Sequence, residues 1–380
     1  MLIKNANTVM SNCVLKRDIL IKDGKIADIA PVLDVPGEEI YDASGLTLLP
    51  GFIETHAHGA VGYLCSNEDI DLQAILDFEA SEGITTWALT HHTMALEEFE
   101  AKLPEALALM GDGHKGGAKI GGIHAEGPFI NVAKKGAMNE KRIILPTIEA
   151  FDRMYDACKG QMKIITIAPE MEGAIEVIKH AVSKGVKVSA GHTDATYDQM
   201  LRAIDAGVTR MTHTFNACRA ISHREPGVLG AALTDKRVTC EVICDFGHLH
   251  PAAVNLLYQI KGSSNFCAIS DSEFAAGLKT DGIVLLDGAP RYIDREAGVC
   301  RLENGTICGS ASSLYRGFKN LLSLGIPVWE VSEMCSANPA KALGIFDETG
   351  SITVGKAADM VIVDKDLDIK QVFVDGKAVK

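Results

Sequence analysis

Along most of this chain, short apolar runs alternate with longer stretches in which apolar residues recur every three or four positions. Eight of the runs read as strands, at 51–58, 85–92, 119–126, 163–170, 187–192, 210–216, 239–248 and 266–271. The intervening segments, such as 69–82, 148–158 and 174–184, carry the helical period and read as amphipathic helices. Eight strands, most of them followed by a helix, predict an α/β fold of the (β/α)8 barrel type. The two chain ends have a different texture. Short β-type runs at 19–22, 25–30 and 46–49 are separated by Asp-Gly and Pro-Gly turns, and runs at 360–363 and 371–374 repeat that pattern. Residues 1–50 and 351–380 are therefore expected to pair into a small β-sandwich domain beside a barrel of residues 51–350. No internal repeat and no low-complexity segment interrupts this plan.

Composition narrows the classes. With 380 residues, 47% of them apolar and 23% charged, the chain has ample length for a sizeable core and the balance of a globular protein. A formal net charge of −13 argues against a nucleic-acid surface and requires local cations to hold any anionic substrate. Ten scattered cysteines, without a Cys-x-x-Cys pair, indicate neither a zinc ribbon nor a disulfide framework. The N-terminus reads as a strand rather than a signal peptide, and no apolar run approaches the ~20 residues of a membrane span. The expected setting is the reducing cytoplasm, with no membrane partner.

Barrel chemistry is done by residues at the C-terminal ends of the strands and in the loops that follow. His56 and His58, one residue apart on a strand, point to the same side and can reach one metal ion. Glu126 ends the third run, His192 the fifth, and His213 lies in the sixth. Asp245 and His248 end the seventh, and Asp271 ends the eighth. Taken singly, each is as well explained by a hydrogen-bonded histidine or a helix-capping aspartate. At equivalent positions around one barrel, imidazoles and carboxylates together suit Zn²⁺ or Fe²⁺.

Several motifs also carry a resemblance. They are Pro50-Gly51-Phe52-Ile53 with His56 and His58, Gly122-Ile123-His124-Ala125-Glu126-Gly127-Pro128-Phe129, Ser189-Ala190-Gly191-His192-Thr193-Asp194, and His223-Arg224-Glu225-Pro226-Gly227. With Asp271 and the segment Gly305-Thr306-Ile307-Cys308-Gly309-Ser310, they extend over nearly the whole chain. In these stretches the chain resembles the amidohydrolase superfamily and, within it, the N-acetylglucosamine-6-phosphate deacetylase family. The resemblance implies that Glu126, His192 and His213 are the principal metal ligands, and that His56 and His58 belong to a second site, so that one or two ions bind per subunit. It implies that Asp271 carries the proton from water to the departing amine of an N-acetyl sugar phosphate. His248, the Asn216-Ala217 backbone, Ala137, Cys308 and Gly309, with the adjoining Ser310, would contact the sugar phosphate. Arg224 would grip the phosphate from across a homodimer interface.

Four places depart from the family pattern. Met138 stands where a histidine usually helps to polarise the substrate carbonyl, and a thioether donates no hydrogen bond. His91-His92 stands at the end of the second run, where Leu-Pro-Thr is usual, and is expected to sit in the loop rather than replace that donor. Glu273 occupies a position that is usually small and uncharged, where it would repel a sugar phosphate. Asp245-Phe246-Gly247-His248 stands where Asp-Gly-x-His is usual, a change expected to alter how His248 is aimed. The leading expectation is deacetylation of N-acetylglucosamine 6-phosphate or a close relative. A paralogue that hydrolyses another N-acyl compound with the same metal and Asp271 chemistry is the alternative, and a non-enzymatic binder on a decayed barrel is disfavoured by the complete ligand set.

Overall fold

The computed structural model describes residues 1–67, 69–110, 116–286 and 289–379. At its centre lie eight parallel strands: β1 (Phe52–Ala57), β2 (Ile84–His91), β3 (Lys119–Glu126), β4 (Met162–Ile167), β5 (Lys187–Ala190), β6 (Val208–Met211), β7 (Thr239–Ile243) and β8 (Phe266–Ile269). Each pairs with the next in chain order. Every residue of β1 and β2 is buried, as parallel strands covered on both faces require. The helices α1 (Leu72–Ser81), α2 (Leu96–Leu109), α3 (Ile148–Ala157), α4 (Ala174–Ser183), α5 (Tyr197–Ala206), α6 (Gly227–Thr234), α7 (Pro251–Lys261) and α8 (Leu314–Ser323) supply the outer layer. Several start at side-chain caps: Asp71, Thr147 and Thr196 each accept a first-turn backbone N–H.

The last strand returns to the first. The Asp271 N–H donates to the His56 carbonyl at 2.9 Å. Across the same seam, the Glu54 carboxyl accepts the N–H groups of His56 and Ser270, each at 2.8 Å. The sheet thereby curls into the expected barrel. Its ladders stop sooner than the apolar runs do, at Ala190, Met211 and Ile269. The residues just beyond explain why: His192, His213 and Asp271 take φ of 48°, 27° and 52°, a left-handed backbone that cannot continue a pleated strand.

Both chain ends build a second, mixed sheet. Its spatial order is Lys377–Ala378, Ile369–Val374, Met360–Val363, Thr47–Pro50, Leu2–Val9, Val14–Lys22 and Lys25–Ala30, with Ile40–Asp42 beside Leu2–Val9. Leu48 lies opposite Ile362, so the two termini are hydrogen-bonded neighbours. Ile3, Ile19, Ile21, Met360, Ile362 and Phe373 form a core of their own, the interior of a small β-sandwich. Because Pro50 is followed by only one residue before β1, this module holds the barrel's first strand directly.

A third sheet was not anticipated from the sequence. Between β8 and α8 the chain forms four antiparallel strands, Gly282–Leu286, Ala289–Asp294, Val299–Leu302 and Ile307–Ser310. They are only four to six residues long and mostly half-buried or exposed, and two of them carry charges, so no clear apolar period marks them. Among the described residues, no helix is long and apolar enough to cross a membrane.

Candidate active site

Glu126 closes β3, and His56 lies on β1. His58, His192, His213 and Asp271 follow their strands by one or two residues, and all six side chains converge. Oε1 of Glu126 lies 3.2 Å from His56 Nε2, 3.2 Å from His192 Nε2 and 3.1 Å from His213 Nε2. Its Oε2 lies 3.3 Å from His58 Nε2, and Asp271 Oδ1 stands 3.2 Å from that same nitrogen. The six divide into two groups with metal-ligand spacing, Glu126 with His192 and His213, and Asp271 with His56 and His58.

The outer contacts of the imidazoles decide which nitrogen faces the centre. His192 Nδ1 donates to the Lys134 carbonyl at 2.9 Å, and His58 Nδ1 to the Thr90 carbonyl at 3.2 Å. A carbonyl only accepts, so in both rings the N–H is outside and the neutral ring turns the Nε2 lone pair inward. His56 is set the same way by Glu241, whose Oε2 is 3.0 Å from Nδ1. Imidazoles oriented by outer carboxylates and carbonyls are the arrangement that metal ligation uses. The His192 and His213 Nε2 atoms approach to 3.1 Å beside the Glu126 carboxylate, a nitrogen and oxygen donor set that fits a divalent cation.

The electrostatics also call for positive charge at the centre. Burial opposes it, but the carboxylates of Asp271 and Glu126 lift the His58 imidazole to about 9. Burial alone would raise the Asp271 carboxyl, and the imidazoles of His58, His56 and His213 hold it well below its ordinary value instead. Both shifts have one cause, an excess of buried carboxylate over positive charge at the centre, which a divalent cation would balance.

A cavity of about 640 Å³ opens over this cluster. Ala137, Asn216, Ala217, His248, Cys308 and Gly309 all stand in its wall. His248 is buried against Asp245, whose Oδ2 lies 2.7 Å from its Nδ1. Burial works against protonation there, but Asp245 keeps the imidazole above its ordinary pKa. Two residues are placed elsewhere. Ser310 is buried behind the wall, where its hydroxyl donates to the Gly298 carbonyl at 3.0 Å and its N–H to the Asp271 carbonyl at 2.8 Å. It braces the segment that carries Asp271 instead of touching the cavity. Arg224 is exposed on a loop and forms no part of its own chain's cavity wall.

The family departures fall inside the site. Met138 lies in the wall. His91 is the last residue of β2 and is buried edge-on against Phe99, with ring centroids 5.4 Å apart. His92 is the first residue of the loop after β2; it lines the cavity and stacks on His58, with centroids 3.6 Å apart and planes at 10°. Its Nε2 is 2.8 Å from Oε1 of Glu273, 181 residues away. Sequence reasoning missed Glu241 and its buried partner Arg210, 2.8 Å apart, and the wall residues Arg142 and Arg291. The signal for the first pair was present, since each charge interrupts an otherwise apolar barrel strand.

The amidohydrolase family model matches residues 47–379. The N-acetylglucosamine-6-phosphate deacetylase of Bacillus subtilis (strain 168) is 35% identical, over 97% of this chain and 94% of that protein. The N-acetylgalactosamine-6-phosphate deacetylase of Escherichia coli O157:H7 is 32% identical, over 94% and 93%. Among solved structures, a mutant N-acetyl-D-glucosamine-6-phosphate deacetylase of Mycobacterium smegmatis, in complex with N-acetyl-D-glucosamine-6-phosphate, superposes with a TM-score of 0.91. It is 30% identical, over 100% of this chain and 99% of that one. Fold, matched length and identity agree, and the chain belongs to the amidohydrolase family.

Proposed function

We propose that this protein hydrolyses the amide of N-acetylglucosamine 6-phosphate, or of a close N-acetylhexosamine phosphate, to acetate and the amino sugar phosphate. The observation that carries this reading is the convergence of four imidazoles and two carboxylates at the floor of a cavity large enough for a sugar phosphate. Glu126, His192 and His213 hold the principal ion, for which we assign zinc, with iron(II) suited to the same donors. His56 and His58 hold a second ion when two are bound. Such an ion supplies Lewis acidity, lowering the pKa of water and polarising an amide carbonyl. Asp271 accepts the proton of the attacking water. It then passes that proton to the departing nitrogen, so that the amine leaves neutral rather than as an unstable anion.

The substrate is held by the walls. His248, fixed through Nδ1 by Asp245, leaves Nε2 for a polar group of the substrate. Asn216, Ala217, Ala137, Cys308 and Gly309 shape the sugar pocket. Arg224 offers a planar, permanently charged fork for phosphate, and its exposure outside its own cavity suits a homodimer in which it serves the neighbouring subunit. We divide the chain into a barrel of residues 51–350 and a β-sandwich of residues 1–50 and 351–380. None of the ten cysteines is in a disulfide, which suits the cytoplasm as the site of the reaction.

Acetate release from N-acetylglucosamine 6-phosphate by the zinc-loaded protein tests the reading, with the galactosamine epimer and the unphosphorylated sugar alongside. A phosphate-dependent kcat/KM near ~10⁴ M⁻¹s⁻¹ or above is expected. Silence on all three sugars with metal bound would overturn it in favour of another N-acyl substrate.

A further inference from the structure

The cavity contains a carboxylate that the proposed chemistry does not use. Glu273 is 5% exposed, stands in the wall, and has its backbone fixed by an N–H donated to the Ser310 carbonyl at 2.9 Å. Oε1 is bound to His92 at 2.8 Å, and His92 is itself held face-to-face on His58. Among the described residues, no donor reaches Oε2. The arrangement depends on Gly309: a Cβ there would lie 2.3 Å from Glu273 Cγ and 3.0 Å from the Asp271 carbonyl oxygen. Gly309 also has φ of 140°, which side chains rarely adopt. A glycine has thus made room for a carboxylate beside the proton carrier, and an imidazole has taken one of its oxygens.

An ionised carboxylate only accepts hydrogen bonds. Accepting our reading of the substrate, its phosphate and acetyl oxygens offer Glu273 no proton, and its amide nitrogen belongs to Asp271. Ring hydroxyls are the donors that remain, and those nearest Asp271 are on the carbons flanking the one that bears the amide. We propose that Glu273, positioned by His92, determines specificity by accepting a hydrogen bond from one of these flanking hydroxyls.

The test compares wild type, Glu273→Ala, Glu273→Gln and His92→Asn on N-acetylglucosamine 6-phosphate and on its 1-deoxy and 3-deoxy analogues. The wild type should lose ~10–100-fold in kcat/KM on one analogue, the range for a hydrogen bond to a charged group. Glu273→Ala should lose a similar factor on the parent sugar and nothing more on that analogue, since the same bond cannot be lost twice. His92→Asn should show the same pattern with a smaller loss, and Glu273→Gln, which keeps the shape, should do so if the alanine variant fails to fold. Losses that multiply on both analogues, or full activity of Glu273→Ala on the parent, would sink the proposal while leaving deacetylation intact. Wild-type silence on the parent sugar would remove the functional reading and this inference with it.

Discussion

One oxygen of Glu126 lies within 3.2 Å of the Nε2 atoms of His56, His192 and His213, and Asp271 approaches His56 and His58. At this scale the division of labour can be tested by changes of a single atom. Asp271→Asn keeps the shape but removes the proton acceptor, so kcat should fall by ~10²–10⁴. At least one metal ion per subunit, measured by elemental analysis, should remain because Glu126, His192 and His213 are untouched; substantial remaining turnover would assign the proton to another group. Arg210 and Glu241 make a different kind of prediction. Their ion pair is buried, and Glu241 also orients His56. Arg210→Met should cost ~3–5 kcal/mol in denaturant unfolding, because it leaves a carboxylate buried without its cation. A loss under 1 kcal/mol would show that His56 or water neutralises Glu241 without the arginine.

The elements place these residues by ending where they do. His192, His213 and Asp271 all leave their strands through a left-handed residue, which turns each side chain into the mouth of the barrel. Such a backbone costs on the order of 1–2 kcal/mol per residue and persists where the surrounding structure dictates it. β2 ends differently, in His91, and the adjacent His92 goes to an opposite fate. His92 faces the cavity, whereas both ring nitrogens of His91 are buried without a partner among the described residues. Burial, reinforced by His92 and His58, pushes His91 down to about 3 from an ordinary 6.5. The folded state therefore binds fewer protons than the unfolded chain between these values, and stability falls as pH drops from 6.5 toward 3. His91→Leu should flatten the decline of Tm over that interval relative to wild type. An unchanged pH profile would mean that His91 does not contribute to acid sensitivity.

At the scale of the whole molecule, the barrel gathers groups that start far apart in sequence, and the charge at their centre links metal binding to folding. An unfolded chain has no such site, so an ion that binds only the folded form stabilises it by ~2.7 kcal/mol at a hundredfold excess over Kd. Tm of the chelated protein should therefore rise with each increment of zinc, and a Tm indifferent to zinc would count against the assignment of these six side chains as a metal centre. The terminal sandwich takes part in the same stability, because Thr47–Pro50 pairs with Met360–Val363 and leads into β1 across a single residue.

Much of this was legible in the residues themselves. The apolar runs and helical periods are local properties, so eight strands and the alternation with helices could be read directly, and with them the positions of His56, Glu126, His192, His213 and Asp271 near strand ends. A barrel brings its strand ends to one rim whatever the loops do, which is why a list of end residues predicted a cluster. The wall was not legible in the same way. Its four-stranded sheet has no strong period, Ser310 turned inward to brace a neighbour, and Arg224 stayed outside its own cavity. His92 meets Glu273, and Arg210 meets Glu241, only because closure and register bring separate strands and loops together. Local sequence pattern determined the scaffold and the strand-end side chains that converge on its rim; tertiary contact alone decided the lining, since pairings across a closed barrel depend on three-dimensional distances that no single segment encodes.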